Sequence, residues 1–182
     1  MRNRIEILRS HIDNLSDDSV DGGSCFIESH MLSVSNFAAM IAMKRGLDPE
    51  IATMIGLLHD IHPLLTGDYT EHAKQGSLLA EEILSKLNIT TQEETELICT
   101  AVRYHSKKRS VHDAYSELIK DADVLSHCFY NISFPALEKD QARFEALKKE
   151  FGLTGCSFSV SGDFQLDEKD DRNENQDDAY PL

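Results

Sequence analysis

The dipeptide His59-Asp60 follows a largely apolar run, residues 51–58, and places two metal-binding side chains where a buried helix should end. An unpaired buried carboxylate costs a large free energy, and a partner cation or a metal ion is the usual compensation. Four more candidate ligands lie along the chain: His30, His72, His105 and Asp123. Imidazole suits Zn, Cu, Fe and Ni, whereas carboxylate suits hard cations such as Mg and Mn. A mixed set of histidine and aspartate indicates a hydrolytic metal centre, since a structural zinc site normally uses cysteine.

The apolar pattern around each histidine predicts which way its ring points. His30 lies four residues before Val34 in the apolar stripe of its helix, and it should therefore face the core. His105 ends a helix on the inward face, where interaction with the helix dipole is the alternative role. His72 opens a helix, and the positive end of the helix dipole favours the neutral imidazole that binds metal. Any one histidine is more often a surface or hydrogen-bonded residue, but the group indicates a shared site.

The two acids near residue 122 leave a choice open. Asp121 and Asp123 are two positions apart on one predicted helix, so they diverge by about 200° around its axis. Only one of them can face the site, and the apolar stripe of that helix does not settle which one. His11 and His127 are interpreted as structural.

The order and local sequence of these residues resemble the H…HD…D pattern of the HD superfamily of metal-dependent phosphohydrolases. Residues 57–61 read LLHDI and residues 121–125 read DADVL, and both are similar to segments of that family. The resemblance covers residues 26–130 and implies an all-α fold, an HD-domain helical bundle with the metal site between helices. It implies one ion held by four side chains: His30, His59, Asp60 and Asp123. Asp123 is thereby selected over Asp121.

His72 and His105 match two further histidines of an HD branch that holds two metals. That branch includes the bacterial symmetrical diadenosine tetraphosphate hydrolases, where the segment Tyr104-His105-Ser106 also has a counterpart. One departure is His62, which stands where the family usually has glycine. The implied cofactor is one or two divalent ions, of Fe, Mn, Mg, Co or Zn, with Asp60 as the bridge between two.

An ion held by this set lowers the pKa of a bound water toward neutrality, and the hydroxide can then attack phosphorus. His59 and Asp60 are the residues predicted to be catalytic. Substrate contacts are predicted for His62 and for four bases within seven residues: Arg103, Lys107, Lys108 and Arg109. Bases next to a metal ligand can bind phosphate, although a solvated loop is the alternative. The predicted reaction is cleavage of a small phosphoester or phosphoanhydride of nucleotide type.

Two other functions remain open. Some diiron members of the HD superfamily oxidise C–H bonds, and the same six ligands would serve that chemistry. The phosphonate-oxidising type has a tyrosine and a glutamate before its first histidine ligand, whereas this chain has an aspartate and a serine, Asp21 and Ser24, in that region. The second alternative is a non-catalytic ligand-binding HD module, against which a complete ligand set argues.

The rest of the pattern predicts helices and the loops between them. Helices are expected at residues 2–15, 26–45, 48–60, 70–87, 91–105, 113–130 and 136–151, and residues 13–24 and 61–70 are expected to form loops. Asp48-Pro49-Glu50 and the segment from Thr91 to Glu94 are helix-start signals, and Gly46 suits a helix end. Three regions follow: an N-terminal helix and loop (1–25), the HD domain (26–153) and an acidic tail (154–182) that is expected to be disordered.

Composition limits the expected partners. The chain has 18 basic and 32 acidic residues and a net charge of −14, which argues against nucleic acid because polyanion-binding proteins usually carry a basic face. A small phosphorylated substrate is compatible if a metal and local bases neutralise it. The four cysteines show no CxxC spacing, as in a reduced intracellular protein, and no leader or membrane-spanning run is visible. A cytoplasmic location without a membrane partner is therefore expected, and the oligomeric state stays open.

Overall fold

The computed structural model describes residues 3–17, 24–130 and 136–153 of the 182-residue chain. In these ranges every regular element is a helix, which confirms the predicted all-α fold. The helices are α1 (Arg4–Asp17), α2 (Ser24–Arg45), α3 (Pro49–Leu58), α4 (Ile61–Thr66), α5 (His72–Leu87), α6 (Gln92–Tyr104), α7 (Ala114–Tyr130) and α8 (Glu138–Phe151). The predicted acidic tail, residues 154–182, lies outside the described residues.

Helix α2 is the central element of the bundle. Helices α3 and α7 pack along it, and α5 packs on α6, which also contacts α3 and α7. The core between these helices is aliphatic, with fully buried side chains such as Ile41, Ile55, Leu58 and Leu118. Burial of apolar surface stabilises the fold by roughly 25 cal/mol per Å², so this core holds the helix ends in fixed relative positions.

The close approach of α2 and α3 depends on Gly56. A Cβ atom at this position would clash with the backbone of Ser35 on α2. The absence of a side chain therefore lets the two helix backbones touch. His30 lies on α2 and His59 directly follows α3, so the same contact brings two candidate ligands together.

The predicted helix starts and the predicted helix end are confirmed. Asp48 accepts hydrogen bonds from the backbone N–H groups of Glu50 and Ile51, at 2.8 and 3.4 Å, and Pro49 occupies the first turn of α3. Thr91 and Glu94 form a capping box at the start of α6. These residues satisfy N–H groups that have no partner within the helix. Gly46, just after α2, has a φ of 70°, which suits a glycine-ended helix.

The prediction of a loop at residues 61–70 is wrong for its first half, which forms α4. Pro63 lies in the first turn of this helix, where its missing N–H would have had no helical partner. Gly67, with a φ of 69°, ends the helix and donates its N–H to the carbonyl of Pro63 at 2.9 Å. Proline and glycine thus mark the start and the end of a short helix here.

Helix α1 extends to Asp17, past the predicted helix end, and packs against α3 and α4. Its Leu8 and Ile12 are buried in the common core. Arg4 forms an ion pair with Glu50, which links α1 to α3, and another with Glu94, which links α1 to α6. The domain boundary predicted at residues 25–26 stays a prediction. Residues before and after it contribute to the same hydrophobic core.

Among the described residues one helix, Cys25–Arg45, is long and apolar enough to cross a membrane by length and composition. The sequence analysis did not single it out, because its apolar residues are interrupted by polar ones. Core helices of globular proteins pass the same test, and this helix contributes Val34, Ala38 and Ile41 to the buried core. The absence of a membrane partner remains an expectation.

Candidate metal centre

All six predicted ligands converge on one place between the helices. They come from α2, the ends of α3 and α6, the start of α5, and α7: His30, His59, Asp60, His72, His105 and Asp123. Helix ends supply most of them, because a residue that follows the last helical turn can point across the bundle while the helix itself stays packed. The sequence separations are large, so the site exists only when the bundle is folded.

The donor atoms form three overlapping groups, in each of which the atoms lie within 4.8 Å of one another. The groups are His30, His59 and Asp60; Asp60, His72 and His105; and His30, Asp123 and His127. Asp60 and His30 each belong to two of them. Every group holds two imidazoles and one carboxylate, a composition suited to divalent transition metals.

Two pairs of imidazoles face each other through their Nε2 atoms. The Nε2 atoms of His30 and His59 are 3.2 Å apart, and those of His72 and His105 are 3.1 Å apart. Two nitrogens bound to one ion at about 2.1 Å would be about 3.0 Å apart at a right angle and about 3.4 Å apart at a tetrahedral angle. The observed separations therefore match two edges of a coordination shell.

The second ring nitrogens show which atom carries the proton. Nδ1 of His59 lies 2.8 Å from the carbonyl of Gly56, and Nδ1 of His105 lies 2.7 Å from the carbonyl of Val102. Nδ1 of His72 lies 3.0 Å from a carbonyl in the same way. A carbonyl only accepts, so each Nδ1 donates its proton, and in the neutral ring that binds metal each Nε2 presents a lone pair. Two facing lone pairs repel, and a cation between them removes the repulsion.

Asp60 lies between the two imidazole pairs. Its Oδ2 is 3.3 Å from Nε2 of His59 and 3.9 Å from that of His30, and its Oδ1 is 3.4 Å from Nε2 of His105 and 3.8 Å from that of His72. Burial raises the pKa of Asp60, but His59 and His105 outweigh burial and hold that pKa well below its ordinary value. Burial lowers the pKa of His59, but Asp60 outweighs it and raises the pKa to about 9. Each Asp60 oxygen thus faces one pair, as a bridge between two ions requires.

Asp123 supplies the second carboxylate, and its two oxygens have different neighbours. Oδ1 is 3.2 Å from Nε2 of His30 and 3.2 Å from Nε2 of His127. Oδ2 is 2.8 Å from the ammonium of Lys108. Oδ1 is buried and has no hydrogen-bond partner among the described residues, which fits an oxygen that awaits a metal ion. Burial raises the pKa of Asp123, but His127 and Lys108 outweigh it and hold the pKa well below its ordinary value.

His127, which the sequence analysis interpreted as structural, belongs to the edge of this site. Its ring stacks on that of His30, with centroids 4.8 Å apart and an interplanar angle of 3°. Parallel rings at this separation do not both direct their Nε2 lone pairs at one ion, so His127 contacts Asp123 without completing the shell of the ion at His30. Its position four residues after Asp123, one helical turn later, is the sequence signal that could have found it.

Asp121 faces away from the metal ligands and pairs with two arginines. Its Oδ2 accepts from Arg45 at 2.8 Å and its Oδ1 accepts from Arg143 at 2.8 Å. Arg143 also donates to Glu117 at 2.7 Å and to the backbone carbonyl of Lys108 at 3.0 Å. A second buried ionic cluster therefore lies beside the metal centre, on the other face of α7.

The five predicted substrate contacts are distributed unevenly. Arg103, in the last turn of α6, and Lys107 and Arg109, which follow this helix, are exposed, as a phosphate-binding group requires. Lys108 is separated from them, since its side chain is only 4% exposed and its ammonium lies on Asp123. His62 is partly buried on α4, with Nδ1 2.9 Å from the carbonyl of Asp68. Substrate binding by any of these residues stays a prediction.

The fold and the donor set define a helical, histidine-rich metal-binding domain. The sequence profile of the HD domain family matches residues 27–127, which is more than half of the chain. This chain belongs to the HD domain family. The matched region contains all six predicted ligands, whereas α1 and α8 lie outside it.

The chain is also similar to parts of larger proteins. It is 32% identical over 98 residues to Ribonuclease Y of Opitutus terrae, a match that covers 53% of this chain and 17% of the relative. It is 28% identical over 122 residues to Ribonuclease Y of Clostridium botulinum strain Hall, covering 66% and 22%. The chain thus spans about a fifth of the length of these curated relatives.

One solved structure also matches this chain over most of its length. It is the crystal structure of a predicted HD superfamily hydrolase from an uncultured Thermotogales bacterium, 24% identical, with a TM-score of 0.46. The match covers 82% of this chain and 88% of that one.

Proposed function

We propose that this chain is a metal-dependent phosphohydrolase that cleaves a small phosphoester or phosphoanhydride of nucleotide type. The observation that carries the proposal is the position of Asp60 between two pairs of facing imidazoles, His30 with His59 and His72 with His105. This arrangement provides two adjacent cation positions that share one carboxylate, which is the layout of a two-metal hydrolytic site. Belonging to the HD domain family supports the same reading.

Divalent ions bound here would act as Lewis acids and lower the pKa of a bound water toward neutrality. The chain's own residues fix the geometry. His59, His72 and His105 are buried and held by backbone carbonyls, so they fix the ion positions. Asp60 and His30 are 15% and 13% exposed at their side chains, and the substrate can therefore approach from their side.

A small substrate is favoured over a long polyanion. The net charge of −14 repels a polyphosphate chain, whereas three exposed bases next to His105 are enough to neutralise one or two phosphate groups. The bases are Arg103, Lys107 and Arg109. The Ribonuclease Y relatives are named for action on RNA, but the part they share with this chain is 17–22% of their length. Short RNA is therefore one arm of the test.

The experiment is a substrate screen with purified protein loaded separately with Mn²⁺, Mg²⁺, Co²⁺, Fe²⁺ or Zn²⁺. The substrates are nucleoside mono- and triphosphates, dinucleoside polyphosphates, sugar phosphates and a short RNA, and the products are separated by chromatography. We expect hydrolysis of a nucleotide-type substrate, lost in Asp60→Asn and retained in Asp13→Asn, an exposed aspartate on α1. Cleavage of RNA alone would overturn the small-substrate proposal, and no hydrolysis by metal-loaded protein would overturn the hydrolase itself.

One observation favours a second candidate function. The two donor groups that share Asp60 each contain two histidines and one carboxylate, the set found in non-haem Fe(II) oxygenases. An oxygenase would need an iron pair and would be coloured in its oxidised state. Full hydrolytic activity of the Mn²⁺ or Mg²⁺ protein under anaerobic conditions would exclude this candidate. Substrate-dependent O₂ consumption by the iron protein alone would establish it.

A further inference from the structure

Lys108 is a buried cation that the predicted substrate-binding role does not explain. Its side chain is 4% exposed, as is that of Asp123, and its ammonium lies 2.8 Å from Asp123 Oδ2. The same ammonium lies 3.7 Å from Oδ1 of Asp140, which is on α8 and whose side chain is 1% exposed. A lysine is almost never buried in this way unless it is paired.

Helix α8 holds Lys108 in place through its backbone as well as its side chain. Arg143 donates from Nε and Nη2 to the carbonyl of Lys108, at 3.2 and 3.0 Å. Its Nη1 donates to Asp121 of α7 at 2.8 Å, and Nη2 also donates to Glu117 of α7 at 2.7 Å. The guanidinium therefore fixes the segment after His105 against both α7 and α8.

We propose that Lys108 is a fixed cation of the metal centre, which occupies one oxygen of Asp123 and so regulates how strongly that carboxylate binds a divalent ion. With Oδ2 taken by the ammonium, only Oδ1 remains to bind an ion beside His30. Asp123 is thereby a ligand through one oxygen, and part of its negative charge is already neutralised. Lys108 is a positioning residue that acts through Asp123.

The sign of the effect follows from electrostatics. An ammonium within a few ångströms of a divalent ion repels it, and burial makes this repulsion stronger than in water. Lys108 should therefore weaken metal binding at the Asp123 position. Asp140 counteracts it, because the ammonium is shared between two carboxylates. Lys108 lies within residues 27–127, whereas Asp140 and Arg143 belong to α8, so the contribution of α8 comes from outside the matched HD region.

The test measures metal affinity and not turnover, although the inference rests on the metal centre of the proposed function. Wild type and variants are titrated with Mn²⁺ and Co²⁺ in competition with a fluorescent chelator at fixed pH and salt. Lys108→Met/Asp140→Asn removes both charges, so that no buried charge is left alone, and we expect at least about tenfold tighter binding of one ion. Asp140→Asn alone removes the negative charge that shares the ammonium with Asp123, and we expect weaker binding.

Lys107→Met is the matched control, since this neighbouring lysine is exposed, and it should bind metal as the wild type does. Unfolding followed by circular dichroism identifies variants that do not fold, and the opposite signs of the two tests separate the effect from general damage. Equal or weaker binding in the double variant would overturn the proposal. A wild type that binds metal without hydrolysing any substrate would overturn the proposed function and leave this inference standing, and a wild type that binds no metal would overturn both.

Discussion

Asp121 and Asp123 are two residues apart on α7, and both are buried, yet their surroundings differ in kind. Each oxygen of Asp121 accepts a hydrogen bond from an arginine, so the chain itself supplies the compensating charge. Asp123 has one oxygen on Lys108 and another that faces two imidazole nitrogens without a hydrogen bond from the described residues. The first arrangement is complete as it stands, and the second becomes complete only with an added cation. The difference separates a structural ionic cluster from a binding site.

Replacing each of the two acids in turn by asparagine is the strongest test of this comparison. Asp123→Asn removes a charge that the ion needs and one of the two carboxylates beside Lys108, and we expect metal affinity and turnover to fall by orders of magnitude. Asp121→Asn leaves Arg45 and Arg143 without full compensation, and we expect a loss of about 2–3 kcal/mol in the free energy of unfolding with metal affinity retained. Chelator competition and urea unfolding measure both quantities. If Asp121→Asn lowered metal affinity more than Asp123→Asn does, the roles assigned to the two faces of α7 would have to be reversed.

The number of ions provides the next test. His72 and His105 form a separate pair around Asp60 Oδ1, so His72→Ala should reduce bound metal from two equivalents to one and lower the rate by about 100-fold. Arg143 lies on α8 and pairs with Asp121 and Glu117 on the face of α7 opposite the metal ligands. Arg143→Met should therefore reduce stability without changing the number of bound ions. Elemental analysis after gel filtration measures the count. A wild type with one equivalent, unchanged in His72→Ala, would place this chain among mononuclear proteins.

Acid should separate the two regions because their groups titrate differently. Burial raises the pKa of Glu117, but Lys120 and Arg143 outweigh it and lower the pKa to about 2. Since this folded-state pKa lies below the ordinary value of 4.5, Glu117 contributes stability above pH 4.5 that is lost as pH falls toward about 2. Metal binding requires deprotonated imidazoles, so an ion must displace the proton that the raised pKa of about 9 favours on His59, and acid drives the reverse exchange.

We therefore expect metal to be released at about pH 5 while the helices persist to below about pH 4. Dialysis at a series of pH values followed by metal analysis gives the first midpoint, and far-ultraviolet circular dichroism gives the second. Coincident midpoints would show that the ionic cluster and the metal centre are one cooperative unit.

The smallest effects should come from bases that belong to neither region. Arg103, Lys107 and Arg109 are exposed, and exposed charges contribute at most about 1 kcal/mol each. Single alanine substitutions should raise the substrate KM several-fold without changing metal affinity or melting temperature. An unchanged KM in all three variants would show that these bases do not bind the substrate phosphate, so that the metal ions alone would have to bind it.

Much of the site could be predicted because its signals are local. His59-Asp60 ends an apolar helix, and Asp48 and Thr91 are caps that act within four residues of their own position. The choice of Asp123 over Asp121 came from the family resemblance, since periodicity alone left it open. The predicted loop at residues 61–70 failed because Pro63 and Gly67 have the same local meaning at the ends of a short helix as in a turn.

The ion pairs and hydrogen bonds that distinguish Asp121 from Asp123 could not be predicted, because the partners lie far apart in the sequence. Arg45 and Asp121 are 76 positions apart, and Arg143 reaches the carbonyl of Lys108 across 35. No periodic pattern specifies such partners. Lys108 is the clearest case, because its sequence neighbours are exposed bases, whereas its ammonium lies between carboxylates of α7 and α8.

The origin of the ligands in separate helices has a consequence for the lifetime of the folded chain. Ions bound by the facing imidazoles would close loops between residues 29 and 33 positions apart. Closing a loop of this length covalently stabilises a protein by roughly 3–4 kcal/mol through chain entropy. Bound metal would therefore act as a reversible cross-link, and the supply of metal would set how readily the chain opens to proteases.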